Sequence, residues 1–353
     1  MECGCLVLVQ EVGNLFNAVC DFLLVDVDFS APNWLINYYH SIGFVSVLLN
    51  SFGIYLLQFH CKKLGTFRYW LLSYQVICFA TDFHFTFLTQ PVPLFPLFGG
   101  FTVGYLSEWF DVPAYYLLAI LYHLIAVQFA VLVLSFVKKH RSLATLTNGF
   151  KFPKLVDPIY FFLYNISFIC AVVICDSARL SPYDQLEYIR KTAPEFLAGF
   201  QLLKYVEIFV KSQTMFYLIY FLFFLAAILI APFAYTVVAI FKSMDHLKQN
   251  ISPITYRKHS EAVRCLVVQI TTACFAMAPL LLVGAAVMLE YRYAQFVSEL
   301  CVAWFASHSS FNMVSLLLFF PPFKTYLNQR LVPFLSYPGK VREQVSAITV
   351  HIM

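Results

Sequence analysis

The chain has 353 residues, of which 61% are hydrophobic and only 12% charged, against about 25% charged in an ordinary soluble domain. So little polar surface cannot clothe a soluble fold of this length, and the surplus apolar area must face lipid. The net charge of +4 comes without a dense Lys/Arg run, which fits membrane orientation better than a nucleic-acid partner.

In chain order, residues 1–33 carry no Lys or Arg and do not resemble a signal peptide, because a basic start is missing and Glu11 interrupts the apolar run. A bilayer core about 30 Å thick takes roughly 20 apolar residues of helix to cross. Stretches of that kind are predicted at 34–59, 69–88, 114–137, 157–174, 215–241, 265–289 and 296–320. The segment 90–104 holds Pro91, Pro93, Pro96, Gly99, Gly100 and Gly104, and is expected to be a turn-dominated connection. Asp157-Pro158 suits a helix start, with Asp157 as the capping acceptor. Pro279 should kink the sixth span. After Pro321-Pro322, the spacing of Phe323, Tyr326, Leu327 and Leu331 predicts a short amphipathic helix along the membrane surface, stopped at Pro333. The architecture expected is thus all-α, a bundle of seven membrane-crossing helices flanked by an N-terminal segment and a tail from 321 to 353.

Charge sets the orientation. Lys62, Lys63 and Arg68 lie in the first connection. Lys138, Lys139, Arg141, Lys151 and Lys154 lie in the third, and Lys242, Lys248, Arg257, Lys258 and Arg264 in the fifth. The tail adds Lys324, Arg330, Lys340 and Arg342. The alternate connections are nearly bare, except the long segment 175–214, where acids balance bases. Short cytoplasmic loops retain Lys and Arg, so the N-terminus is expected outside and the C-terminus inside. On that orientation the sequons at Asn165 and Asn250 fall within a span and on the inner side, as chance matches. Cys78, Cys170, Cys274 and Cys301 belong to spans, where a thiol behaves as a small apolar group. Cys3, Cys5, Cys20 and Cys175 face the oxidising side, with their pairing open.

Ionisable groups inside a span are costly and mark function by default. The candidates are Asp82 and His84, then His123, then Glu299 and His308. Helical rise puts Asp82 roughly 9 Å and His123 roughly 13 Å below the outer ends of their helices, depths at which the two could bond. No span holds Lys or Arg, so Asp82 is expected to be neutral or held by His, Tyr, Ser or Asn. Glu299 lies about one turn from the outer surface, where solvation accounts for it equally well. Asp82, His84, Tyr122, His123 and Glu299 are the candidate ligand-binding residues. Lys138, Lys139, His140, Arg141, Arg257, Lys258, Arg264 and Lys324 are the candidates for contact with a protein partner inside. No phosphate loop, nucleophile elbow, metal-ligand spacing or cofactor motif occurs, which argues against an enzyme.

Residues 34–56, 67–72, 81–106, 255–269 and 308–324, and above all Gln90-Pro91-Val92-Pro93-Leu94 with the Gly99-Gly100 pair, resemble the nematode serpentine chemoreceptors of class I, with class H as close kin. The resemblance covers about 34–335. It implies a G protein-coupled receptor of the plasma membrane of sensory neurons, often on the cilium, which detects small environmental or pheromone-like molecules and partners a heterotrimeric G protein. Two departures stand out. The basic residue that the family carries at the inner end of the third helix is displaced within Phe136-Val137-Lys138-Lys139-His140-Arg141. A Pro-Tyr-Arg pattern after the seventh span appears as Pro322-Phe323-Lys324. A small transporter or channel is the alternative, but the internal repeats, broken helices or charge rings it needs are not evident in the sequence.

Overall fold

The computed structural model describes residues 27–95, 97–177, 179–210, 213–288 and 293–335. The expectations for Cys3, Cys5, Cys20 and the side chain of Cys175, and for the tail beyond 335, lie outside the described residues. Among the described residues the long helices are α1 (Asn33–Phe59), α2 (Phe67–Phe83), α4 (Ala114–Thr147), α5 (Val156–Ser177), α8 (Gln213–Asn250), α9 (Pro253–Met288) and the pair α10 (Ala294–Ala306) and α11 (His308–Phe319). Short helices α3 (Tyr105–Phe110), α6 (Pro182–Thr192) and α7 (Leu197–Phe200) lie in the connections at the other end from α12 (Pro321–Leu335), which follows α11.

Packing follows from the buried stripes. On α1, Leu35, Tyr39, Gly43, Ser46, Asn50, Gly53 and Leu57 recur three or four apart and face α2 and the α10–α11 pair. Small residues let backbones approach in lipid. A Cβ on Gly43 would stand 2.6 Å from the Thr86 hydroxyl. The helices close a ring, α1–α2–α4–α5–α8–α9–α10/α11, with α4 also touching α9. The larger apolar core fills the half of the ring near α12, around Leu71, Tyr74, Leu132, Phe136, Phe320 and Phe323. A smaller one fills the other half, around Leu35, Tyr39, Phe85 and Phe305.

Four features differ from the sequence expectation. The Pro/Gly segment is not all turn. Strands β1 (Pro91–Pro93) and β2 (Gly99–Thr102) pair antiparallel, and β3 (Val206–Ile208) from the long connection joins as the third strand. The prolines sit on the edge strand, where a missing N–H costs least. Gly100 is bare where a Cβ would meet the Val92 carbonyl at 2.6 Å. Second, α2 ends in a wide π-type turn, His84–Thr89, closed by Gln90 in left-handed backbone at φ 44°.

Third, the helix ends on the side of α12 run far past the apolar stretches. Helix α4 continues to Thr147, so Lys138, Lys139, His140 and Arg141 are helical, because Leu143 and Ala144 carry its buried face onward. Helices α8 and α9 are separated only by Ile251 and Ser252, and α9 runs through Pro279. Fourth, the seventh span bends by 41° at Ser307. Ser307 Oγ donates to the Trp304 carbonyl at 2.7 Å and His308 Nδ1 lies 2.9 Å from that of Phe305. Side chains competing for these carbonyls interrupt the backbone ladder. Helix α12 extends just past Pro333 to Leu335 rather than stopping there.

Candidate functional site

The long helices meet around a buried polar spine. Asp82 on α2, 2% exposed, accepts from Ser46 Oγ of α1 at 2.5 Å and lies 3.5 Å from His308 Nδ1 of α11. Asn50 Nδ2 donates to the same Ser46 hydroxyl at 2.8 Å. The Asn50 carbonyl oxygen in turn accepts from Gln75 of α2 and, at 2.9 Å, from Ser309. Asn312 Nδ2 reaches Gln75 at 3.4 Å, and Thr272 of α9 donates to Asn312 at 3.0 Å. Gln128 of α4 faces His308 Nε2 at 3.1 Å. Nδ1 of His308 faces two acceptors, the Phe305 carbonyl and Asp82, and Nε2 faces the Gln128 amide. Five of the helices are thus joined through polar side chains just below the bend.

Of the other candidates, none reaches Asp82. His84 turns to α4, 3.0 Å from the Leu117 carbonyl and 2.9 Å from Thr89 Oγ1. His123, which depth alone would allow near Asp82, faces α5, with Nδ1 2.9 Å from Tyr164 Oη and its ring against Phe168. Tyr122 stacks on Phe168 from the same seam. Glu299 is 6% exposed and not solvated. The segment before α1 lies over α10, held where Gln295 bonds the Asp28 backbone at 2.7 and 2.8 Å.

At the β-sheet end a cavity of about 520 Å³ opens between α4, α6 and β3. Arg179 grips Glu207 with two bonds of 2.8 and 3.3 Å and lies over the Tyr115 ring. Across the mouth, Lys204 and Tyr205 both hold Asp111, at 2.7 and 2.6 Å. Burial pushes the Glu207 carboxyl up, with Arg179 pulling against it. The bonds from Lys204 and Tyr205 hold Asp111 below the ordinary carboxylate range.

The family model for the serpentine type 7TM GPCR chemoreceptor Sri matches residues 25–327. The chain belongs to this family. It is a multi-pass membrane receptor, from a family of receptors and not of enzymes. Squid rhodopsin, in its crystal structure, aligns with a TM-score of 0.55 over 86% of this chain and 85% of its own, at 14% identity. At that identity the likeness shows the seven-helix fold alone. No curated protein matches the receptor.

At the other end of this Sri-family receptor the basic residues are mostly engaged. Arg141 spans both oxygens of Asp157 at 2.8 Å, and Lys138 joins the same carboxylate. Asp157 lies in the first turn of α5, a clasp for α4. Lys139 is 5% exposed and points its amine at His259 of α9, 3.1 Å away. His140 is buried against Phe152 and Tyr235. Arg257, Lys258, Arg264 and Lys324 are exposed, and Arg257 leans on Glu261 at 3.5 Å.

The sequence reasoning expected Asp82 to be held by His, Tyr, Ser or Asn, but it singled out ionisable groups only and so left the other members of the spine unnamed. The signal was there as amides and hydroxyls at helical spacing inside apolar runs: Ser46 with Asn50, Ser309 with Asn312, and Gln75 two turns before Asp82. Glu207 and Arg179 were hidden among balanced charges in a long connection.

Proposed function

We propose that this receptor is a class I nematode-type chemoreceptor of the plasma membrane, sited on the cilia of sensory neurons, with its N-terminus outside and its C-terminus inside. It binds a small environmental or pheromone-like molecule from the outer side and signals to a heterotrimeric G protein inside. The alternation of bare and basic connections supports the orientation. The ligand enters by the Arg179–Glu207 cavity and acts on the outer helix halves, above Asp82 and His84 and beside Glu299. Tyr122 and His123 shape the α4–α5 wall of that route.

The observation that carries the reading is the spine itself. It ties the bend of α10–α11 to α1, α2, α4 and α9, so a ligand that fits one setting of the bend better than another shifts the whole bundle. Inside, Arg257 and Lys258 form the contact open to an acidic partner surface. Lys138, Lys139, His140 and Arg141 act behind it by fixing α4 against α5 and α9, and helix α12 lies along the inner leaflet.

Two measurements test this. Epitope tags at each end, stained before and after permeabilisation, should show the N-terminus outside and the C-terminus inside; both ends on one side would sink the receptor topology. Nucleotide exchange on a heterotrimeric G protein, reconstituted with the receptor, should fall several-fold in Arg257→Ala/Lys258→Ala at equal surface delivery. Unchanged exchange would remove those two residues from the coupling face.

A further inference from the structure

A second cavity, of about 580 Å³, lies where α9, α11 and α12 meet. Its lining divides by height. Val267 and Val268 of α9 and Leu318 and Phe319 of α11 form an apolar floor that continues the lipid-facing surface; Leu318 and Phe319 are 58% and 60% exposed. One turn further towards the basic end of the bundle stand Arg264 on α9 and Lys324 on α12, with Thr325 and Asn328 beside them.

Among the described residues, no acidic side chain lines the cavity. Glu261, one turn before Arg264, is turned to Arg257. The backbone N–H groups of Phe323 and Lys324, at the start of α12, both donate to the Phe320 carbonyl at 3.1 Å. An anion here is therefore held by side chains and not by the helix end.

We propose that this cavity seats an anionic phospholipid of the inner leaflet, its phosphate between Arg264 and Lys324 and its first acyl carbons on Val267, Val268, Leu318 and Phe319. The proposal rests on the orientation given above, which puts this end inside. Basic recesses between membrane helices on the cytoplasmic side suit charged lipid headgroups, and each cation near that surface adds about 1 kcal/mol of attraction. The division of the lining favours an amphiphile over an acidic peptide. A peptide would answer the two cations but leave the apolar floor, which opens sideways to the bilayer, without a partner. A seated lipid would brace α9 against α12, across the helix that carries Pro279.

The test uses the full-length receptor in nanodiscs of phosphatidylcholine alone, with phosphatidylserine added, or with phosphatidylinositol 4,5-bisphosphate added. Retained lipid is read by native mass spectrometry and stability by thermal unfolding. The wild type should keep an anionic lipid through delipidation and melt higher in either anionic disc, and the stronger arm names the headgroup. Arg264→Gln/Lys324→Gln should lower retention about tenfold and lose the rise in melting temperature, with Lys324→Gln alone intermediate. Lys62→Gln/Lys63→Gln, exposed at the same end but outside the cavity, should keep both. Equal retention of neutral and anionic lipid would overturn the proposal, as would an equal loss in the Lys62/Lys63 control. So would a cavity variant that keeps its lipid but loses G protein exchange in phosphatidylcholine discs, since that assigns the cations to a protein. Both faces of a nanodisc carry the same lipid, so a wrong orientation would appear only in the terminal tags.

Discussion

Two carboxylates organise this bundle, and they are satisfied by opposite means. Asp82, deep among the helices, pairs with no Lys or Arg among the described residues and is held by the Ser46 hydroxyl and the His308 ring. Asp157, at the rim of the bundle near α12, takes two cations, Lys138 and Arg141, both partly open to solvent. The difference follows from what each surrounding medium tolerates. Where water is excluded, a buried ion pair must offset the desolvation of both partners, and neutral donors avoid that cost. At the rim the cations remain hydrated, and the same long side chains reach a carboxylate cheaply. The deep site therefore fixes helix identity through hydrogen-bond geometry, while the rim fixes helix position through charge.

The largest expected effect lies at the deep site. Asp82→Leu leaves Ser46 and His308 with a lost acceptor and should destabilise the detergent-solubilised receptor by about 2 kcal/mol. Asp82→Asn keeps an acceptor oxygen and should lose less than half as much. Melting curves of the two variants decide this. Equal stability of Leu and Asn would mean that the spine is held by packing and not by its polar bonds.

Much of the frame is legible in the sequence, since lipid imposes a long apolar run on every crossing helix and a charge bias on the connections. The expected stretches at 34–59 and 114–137 coincide with α1 and most of α4 for that reason. What stays hidden depends on contacts between segments far apart. Nothing local in Gly99-Gly100 says that β3 will lie against them. The extension of α4 beyond its apolar stretch rests on Leu143 finding a core built by α8 and α9. The bend at Ser307 comes from two side chains, a hydroxyl and an imidazole, that bond backward to carbonyls instead of outward. In the candidate site, Asp82 is conspicuous as a charge in an apolar run, but its partners are ordinary Ser, Asn and Gln, which become a spine only in three dimensions.

A smaller effect is expected at the rim. Asp157→Ala frees Lys138 and Arg141, both within reach of water, and should cost about 1 kcal/mol. Arg141 keeps a bond from Nε to the Phe152 carbonyl at 3.0 Å, which limits the loss. High salt should shrink the difference between wild type and variant, because partly exposed pairs are screened. A cost equal to that of Asp82→Leu, or one indifferent to salt, would erase the contrast between the two carboxylates. The same geometry means that replacing Lys138, Lys139 and Arg141 together disturbs the α4–α5 clasp as well as any partner contact.

The least expected change is at the β-sheet cap, where the contrast recurs in water and the two acids should answer pH with opposite signs. Glu207 is buried and its carboxyl lies above the ordinary value, so the folded state binds a proton more readily than the unfolded chain. Its contribution is therefore fully present below the ordinary glutamate range and is lost as pH rises through the raised folded value. Asp111 is depressed by Lys204 and Tyr205, so its contribution is present above the ordinary aspartate range and disappears as pH falls through the lowered folded value. Hydrogen exchange of the β2 and β3 amides between pH 7 and pH 3 should resolve the two. Glu207→Gln, which can still accept from Arg179, should hold protection at neutral pH and flatten its change across the glutamate range. Asp111→Asn should remove the loss at the acid end and leave the glutamate range untouched. If Glu207→Gln instead strips protection at neutral pH, the charged Arg179 clasp outweighs burial there. The β-sheet cap would then resemble the rim around Asp157 more than the spine around Asp82.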